Sequence, residues 1–229
     1  MTNSKFTLIT TFLFMSSAFT FGQRQKIAVS SFDAIALSTS ASVFVTEGDT
    51  PSVEVEASTD DFENMTIKVD NNTLEIKNKS NWGWSNHSEV KVYVTMSSLS
   101  KLSISGSGNI ISKSNFKTND LEISVSGSGD VEFDIEAAEV VVKISGSGGV
   151  ELTGNSANVI LKISGSGKLD AENMEANTYD IAISGSGKCR INVKEAMDSR
   201  ISGSGSIYYK GNPNKLNNHS AGSGKVIKI

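Results

Sequence analysis

Val142-Lys143-Ile144-Ser145-Gly146-Ser147-Gly148-Gly149-Val150-Glu151-Leu152 is the stretch that decides the fold. Side chains alternate faces along an extended chain. Val142, Ile144, Gly146, Gly148, Val150 and Leu152 therefore fall on one face, and Lys143, Ser145, Ser147, Gly149 and Glu151 on the other. One parity carries every apolar side chain and two glycines, which makes it the inward one. The tetrapeptide at the centre, Ser-Gly-Ser-Gly, recurs from Ser105, Ser126, Ser145, Ser164, Ser184 and Ser202, and a degenerate Ala-Gly-Ser-Gly starts at Ala221. The spacings are 21, 19, 19, 20, 18 and 19 residues, and 14 of the 20 glycines lie in these seven copies, so glycine serves the repeat and not scattered loops.

The flanks repeat in phase. Ile104, Val125, Ile144, Ile163, Ile183 and Ile201 precede the motif directly, with Ser220 breaking the row. Leu102, Ile123, Val142, Leu161 and Ile181 stand two residues earlier, followed by Ser199 and Asn218. Ile110, Val131, Val150, Leu169, Cys189, Ile207 and Val226 form a third row after the motif. A 19-residue unit cannot bury such rows alone; only units above and below can. The pattern predicts an all-β, single-stranded parallel β-helix (β-solenoid) with coils of about 19 residues, stacked about 4.8 Å apart and spanning on the order of 30 Å. Polar pieces at Lys113 to Asp120, Thr153 to Asn158, Glu172 to Thr178 and Lys210 to Asn217 read as turns between strands. The rival is an antiparallel meander with each tetrapeptide as a hairpin turn, but a turn has no reason to keep the apolar parity on both sides. The paired glycines have two readings: a pinch between walls that excludes side chains, or a corner that needs positive φ.

Upstream, Val43, Val45, Val53, Val55, Ile67, Val69, Leu74, Ile76, Val90, Val92 and Val94 alternate with polar residues. Gly48-Asp49-Thr50-Pro51 and Asp70-Asn71-Asn72 read as turns. No linker separates this part from Leu102. The expected organisation is one body over 23–229, with irregular N-terminal coils over 23–100 and tetrapeptide coils over 101–229.

Residues 1–22 have the layout of a secretory signal peptide: Lys5, an uncharged stretch from Phe6 to Thr20, and small residues at Thr20 and Gly22 before Gln23. No cysteine stands near that cleavage point, which excludes a lipoprotein, and no later stretch is apolar enough to span a membrane. Export to the periplasm, outer-membrane surface or medium is expected. The single cysteine, Cys189, cannot form an internal disulfide. A formal net charge of −4 argues against nucleic-acid binding.

Phe32-Asp33-Ala34-Ile35, Val43-Phe44-Val45-Thr46-Glu47-Gly48-Asp49, Leu99 to Gly108 and Ile207-Tyr208-Tyr209-Lys210-Gly211-Asn212-Pro213 together carry a family likeness. The chain resembles the bacterial putative auto-transporter adhesin, head GIN domain family, exported β-helical proteins common in Bacteroidetes. The resemblance implies a right-handed helix and a role in adhesion. The family often has an acidic residue after the motif; here Asp130 keeps it, and Lys168, Lys188 and Lys225 replace it, so no ion-binding row is carried over.

Catalytic motifs are not recognisable. A P-loop ending at Gly187-Lys188 would need its first glycine at Ala182, and a dinucleotide fingerprint would place its third glycine on Glu132 or Glu151. His87 and His219 lack metal-ligand spacing, Cys189 sits in an apolar row, and Asp60, Asp61 and Glu63 read as a solvated turn. The sequence therefore predicts no catalytic residue, metal or cofactor. The rival class is a β-helical polysaccharide lyase, which needs clustered arginines and acids; Arg24, Arg190 and Arg200 are the only arginines. Two features remain as candidate contacts. Trp82 and Trp84 in a polar loop offer an aromatic platform for sugars. Ser126, Ser128, Ser145, Ser147, Ser164 and Ser166 face outward and would form a lattice of hydroxyls, unless serine is there only to keep a tight stack soluble. The expected function is a non-enzymatic surface, adhesion-type binding or scaffold protein. Its partners would be a polysaccharide, a cell-surface component or a second copy of the chain.

Overall fold

The computed structural model describes residues 24–79 and 89–229. The expected signal peptide lies outside them. The N-terminal part contains β1 (Gln25–Ile27), β2 (Ala34–Ser38), β3 (Ser42–Glu47), β4 (Ser52–Glu56), α1 (Thr59–Glu63), β5 (Met65–Asp70), β6 (Thr73–Asn78) and β7 (Lys91–Met96). The repeat region contains β8 (Lys101–Ile104), β9 (Asn109–Ser112), β10 (Phe116–Val125), β11 (Asp130–Gly146), β12 (Gly149–Gly165), β13 (Lys168–Gly185), β14 (Lys188–Gly203), β15 (Ser206–Lys210), β16 (Lys215–Gly222) and β17 (Lys225–Lys228).

Parallel pairing between successive coils rules out the meander. β11 pairs with β12 at an offset of 19 residues along its whole length, from Asp130↔Gly149 to Gly146↔Gly165. β12–β13 and β13–β14 continue the stack, β16 follows on one wall, and β15 and β17 follow on the other. The same walls extend backwards through β10, β8, β2 and β6, and through β9, β3 and β7. The protein is a β-solenoid, as its repeat predicts.

The three apolar rows become its core. Leu37, Ile104, Val125, Ile144, Ile163, Ile183 and Ile201 stack in one line, and none is more than 3% exposed. Removing such a side chain from water contributes about 1.5–3 kcal/mol, so the stack gains stability coil by coil. Cys189 lies between Leu169 and Ile207 and is fully buried.

Both readings of the paired glycines are realised: from Gly146 onward the first glycine takes the positive φ, and both glycines lie against the preceding coil. The first is the corner: Gly146, Gly165, Gly185, Gly203 and Gly222 have φ between +118° and +136°, a conformation glycine adopts without steric cost. It is at least partly exposed, so its assignment to the inward face is corrected: the backbone turns there and the strict alternation lapses. The second is the pinch. Gly148, Gly167, Gly187 and Gly205 are buried, and a methyl group on Gly187 or Gly205 would lie 2.5 or 2.6 Å from Cγ2 of Ile163 or Ile183 in the preceding coil. The β-branch of each row isoleucine fills the space that the next coil's glycine leaves. Gly149, assigned outward, is buried too, because the side chains of Asp130 and Lys168 in the adjacent coils cover it.

Two of the expected turns are corrected outright, and a third in part, since Phe116 to Asp120 of the piece at Lys113 to Asp120 belong to β10. Thr153 to Asn158 and Glu172 to Thr178 lie inside β12 and β13. The chain bends there without leaving the ladder, through register shifts at Glu151/Thr153, Ala171/Glu175 and Ala176/Thr178 and a left-handed Gly154 at φ +103°. Asp60, Asp61 and Glu63 belong to α1 and not to a turn; the Ser58 hydroxyl accepts from the Asp61 amide at 3.1 Å, capping the helix.

The structure adds an eighth corner. Ser38-Thr39-Ser40-Ala41 stacks on Ser105-Gly106-Ser107-Gly108, with Ser105 N donating to Leu37 O at 2.9 Å and Gly108 N to Thr39 O at 3.0 Å. Without glycine it has no visible signature in the sequence. One further parallel layer, β6 and β7, follows it, and there the parallel stack stops: β4 runs antiparallel to β7, β1 to β4, and β5 to β6.

Candidate functional site

Everything inward is core, so any recognition surface has to come from the outward parity. At the tetrapeptide corner the backbone is largely consumed by the stack. Gly146, Gly165 and Gly185 carbonyls accept from Ser166, Ser186 and Ser204 amides, each at 2.9 Å, and Gly148 and Gly167 carbonyls accept from Lys168 and Lys188 amides at 3.1 Å. What the corner leaves to a partner is its side chains.

Ser126, Ser128, Ser145, Ser147, Ser164 and Ser166 are all exposed. They belong to two parallel rows. Ser38, Ser105, Ser126, Ser145, Ser164, Ser184 and Ser202 form the first; Ser40, Ser107, Ser128, Ser147, Ser166, Ser186 and Ser204 form the second. Coil spacing puts neighbours in a row about 4.8 Å apart, and the corner glycine separates the two rows. At the N-terminal end the first row bonds to the protein: Ser38 and Ser105 hydroxyls lie 2.8 Å apart, and Ser126 donates to Ile104 O at 3.4 Å. From Ser145 to Ser204 the hydroxyls of both rows make no hydrogen bond to another described residue, leaving each free to donate and accept.

A groove of about 680 Å³ runs beside the first row across five coils, lined by Lys143, Lys162, Ala182, Arg200 and His219 together with the row serines, Ala221 and the row isoleucines from Ile144 to Ile201. On the other side of the corner a smaller cavity of about 220 Å³ lies among Lys168, Lys188, Arg190, Asp170 and Tyr208. The two arginines of this region are held by acids. Arg190 lies 3.4 Å from Glu172 and 5.6 Å from the Tyr208 ring; Arg200 lies 3.3 Å from Asp180 and 3.0 Å from Asp198.

Other sequence candidates are placed as follows. Trp82, Trp84 and His87 lie outside the described residues. His219 is exposed in β16 and lines the large groove. Burial pushes the Cys189 thiol well above the usual thiol range, which removes the thiolate that reactivity requires. Among the described residues no three His, Cys, Asp or Glu side chains come together as a metal site, and no helix is long and apolar enough to cross a membrane.

One surface cluster escaped the sequence reading. Phe44 and Tyr93 stack outward at 5.3 Å, Arg24 lies 3.5 Å over the Tyr93 ring, and Lys113 lies 4.7 Å from Phe44. The available signal was an aromatic at an outward position in Val43-Phe44-Val45 and again in Val92-Tyr93-Val94. The flanking cations interact with the rings, so the cluster reads as a clamp on the N-terminal coils.

The model of one family, putative auto-transporter adhesin, head GIN domain, matches residues 31–213. The chain belongs to this family. Among solved structures, one described as a putative adhesin from Bacteroides fragilis superposes with a TM-score of 0.86 at 24% identity, covering 90% of this chain and 96% of that one. A protein from Parabacteroides distasonis described as a putative lipid binding protein gives 0.74 at 26% identity over the same shares. A putative adhesin from that organism gives 0.77 at 19%, again over 90% and 96%. No functionally curated protein matches the sequence. These solved structures share the fold of the chain, and the family's description together with those of the two putative adhesins agrees coarsely with an adhesin-type, surface or exported role.

Proposed function

We propose that this head GIN domain protein is an exported, non-enzymatic adhesion or scaffold protein that presents the serine corner of its C-terminal coils to an extended, repetitive partner. The observation that carries the reading is the double row of exposed hydroxyls from Ser145 to Ser204, none bonded to another described residue, alongside a groove five coils long. A partner with its own periodic hydroxyls, such as a cell-surface polysaccharide, can satisfy several of these at once. A rigid stack loses little freedom on doing so, which favours multivalent contact. Residues 1–22 direct export, and the chain from 23 onward acts as one body.

The test is adhesion of the purified protein to bacterial cells and to a glycan array, beside the variant Ser145→Ala/Ser164→Ala/Ser184→Ala. These hydroxyls hold no other group in place, so the variant should keep its urea midpoint and lose adhesion by about tenfold or more, a net loss of about 1.4 kcal/mol shared over three hydrogen bonds. A folded variant that adheres as well as the parent removes the serine corner from the reading. Depolymerised polysaccharide after incubation with the protein would instead establish the lyase-like alternative.

A further inference from the structure

Two outward positions flank the serine corner, one on each wall. On the upstream wall the stacked residues are Ser103, Ser124, Lys143, Lys162, Ala182, Arg200 and His219; on the downstream wall they are Asn109, Asp130, Gly149, Lys168, Lys188, Ser206 and Lys225. The first two coils contribute polar side chains and one acid. From the Ser145 coil onward the two rows contribute six lysines and arginines and no acid, in a chain whose formal charge is −4. Lys143 is held by Glu122 and Arg200 by Asp180 and Asp198. Lys162, Lys168, Lys188 and Lys225 form no ion pair with any described residue. Lys168 and Lys188 are in register on adjacent coils, about 4.8 Å apart, and both border the 220 Å³ cavity that Tyr208 and Arg190 complete. Like charges stacked at that spacing repel; Asp170 lines the same cavity and Asp130 meets the Lys168 stem over Gly149, yet neither forms an ion pair with these lysines.

Resting on the adhesion reading above, we propose that the corner from Ser145 to Gly205 binds an acidic polysaccharide. Its carboxylate or sulfate groups pair with Lys162 on one side and with Lys168 and Lys188 on the other, and its hydroxyls bond to the serine rows between them. Charge complementarity selects the sign of the partner, and the narrow straight corner selects its form. A single polymer chain fits between the lysine rows, whereas a broad polyanion such as duplex nucleic acid meets the acidic remainder of the surface. A membrane surface is disfavoured because the large apolar side chains exposed among the described residues, Leu216, Ile227 and Ile229, all sit on the terminal coil, at least two coils from Lys162, Lys168 and Lys188.

The experiment measures retention of the purified chain on immobilised polygalacturonate (carboxylate), chondroitin sulfate (sulfate and carboxylate) and dextran (uncharged), with anionic phospholipid vesicles and duplex DNA as further arms. Binding to one or both acidic polymers is expected, weakening by about tenfold or more between about 50 mM and about 300 mM salt, with none to dextran. The variant Lys162→Gln/Lys168→Gln/Lys188→Gln should lose about tenfold or more. Lys26→Gln/Lys68→Gln/Lys117→Gln, which removes equal charge elsewhere, should stay within about twofold, and both should remain folded, within about 1 kcal/mol of the parent in urea. Equal loss in the two triples, or tighter binding to vesicles or DNA than to the acidic polymers, overturns the proposal. If the corner-lysine variant adheres to cells like the parent while the serine variant does not, this inference fails and the adhesion reading stands. If the parent binds neither cells nor any glycan, the adhesion reading fails and takes this one with it.

Discussion

The two ends of the solenoid stop the same stack in different ways. At the N-terminal end the chain changes direction: β4 and β5 run antiparallel to β7 and β6, and β1 adds antiparallel to β4, so the outermost strands no longer continue the coil geometry. At the C-terminal end the geometry continues and the chemistry changes. The row Ile123, Val142, Leu161, Ile181 ends in Ser199 and Asn218, and the row through Ile183 and Ile201 ends in Ser220. A repeat protein needs terminal units with a polar outer face, and an exposed strand edge is blunted by lysine; Lys215, Lys225 and Lys228 stand on β16 and β17. One end is closed by topology, the other by composition. The polar end was visible in the sequence as a broken row, whereas the antiparallel end was not.

That contrast is broken most severely by placing one charge at equivalent positions of the middle and the end. Ile163 and Ser220 belong to the same row, but Ile163 is 2% exposed and Ser220 is open to solvent. Ile163→Asp buries an uncompensated carboxylate between Ile144 and Ile183 and should cost about 4 kcal/mol or more, enough to unfold a marginal domain. Ser220→Asp should stay within about 0.5 kcal/mol of the parent. Urea midpoints decide it: comparable losses would mean that the terminal coil is as much a part of the core as the middle ones.

The corners give the next largest effect. A methyl group at Gly205 meets Ile183 Cγ2 at 2.6 Å, so Gly205→Ala overpacks the wall and should cost about 2 kcal/mol. Ala41 occupies the matching place in the glycine-free corner Ser38-Thr39-Ser40-Ala41 and is 1% exposed. Ala41→Gly gains no contact and adds freedom to the unfolded chain, costing about 0.5–1 kcal/mol. A Gly205→Ala protein as stable as the parent in thermal melts would show that the isoleucine–glycine interlock does not set the motif.

These positions also show where sequence reading succeeds and stops. The row residues Ile144, Leu161 and Val150 were legible because burial acts on side chains and parity displays it directly. The serines followed by the same alternation. Thr39 and Ala41 were invisible because a corner is a backbone event, and backbone hydrogen bonding leaves no required side chain once positive φ is not needed. The turns expected at Thr153 to Asn158 and Glu172 to Thr178 failed for a related reason: polar residues mark turns when the chain must satisfy its own backbone, whereas here the neighbouring coil satisfies it. The unneutralised lysines were legible singly, as Lys168, Lys188 and Lys225 after the motif, but that Lys168 stacks in register on Lys188 depends on the structure.

A smaller effect sharpens the account of the polar end. The Ser199 hydroxyl, 1% exposed, donates to Asn218 Oδ1 at 2.8 Å. Asn218→Ala strands that hydroxyl and should cost about 1 kcal/mol. Ser199→Ala frees an exposed carboxamide to return to water and should cost less than about 0.5 kcal/mol. The more exposed residue should therefore matter more. The reverse order in chemical denaturation would mean that the cap works by packing and not by hydrogen bonding.

The smallest effect compares outward charges. In the earlier coils an acid sits between two bases: Glu122 lies 3.2 Å from Lys101 and 3.2 Å from Lys143, bridging three coils. In the later coils a base, Arg200, sits between Asp180 and Asp198. The hydrogen bond from Lys143, followed by that from Lys101 and the charges of both, outweighs partial desolvation and holds the Glu122 carboxyl below the usual carboxylate range. A carboxyl depressed on folding stabilises the folded state above its unfolded pKa. It loses that contribution as pH falls through the lower, folded value, because protonation then breaks the bridge. Glu122→Gln should therefore be destabilised at pH 7 by only about 0.5 kcal/mol, since the group is partly exposed and screened by salt. The gap between variant and parent should close on acidification, when Glu122 becomes as neutral as the glutamine. Parallel stability curves from neutral to acid pH would show that the bridge contributes nothing, and that the coils are held by their inward rows alone.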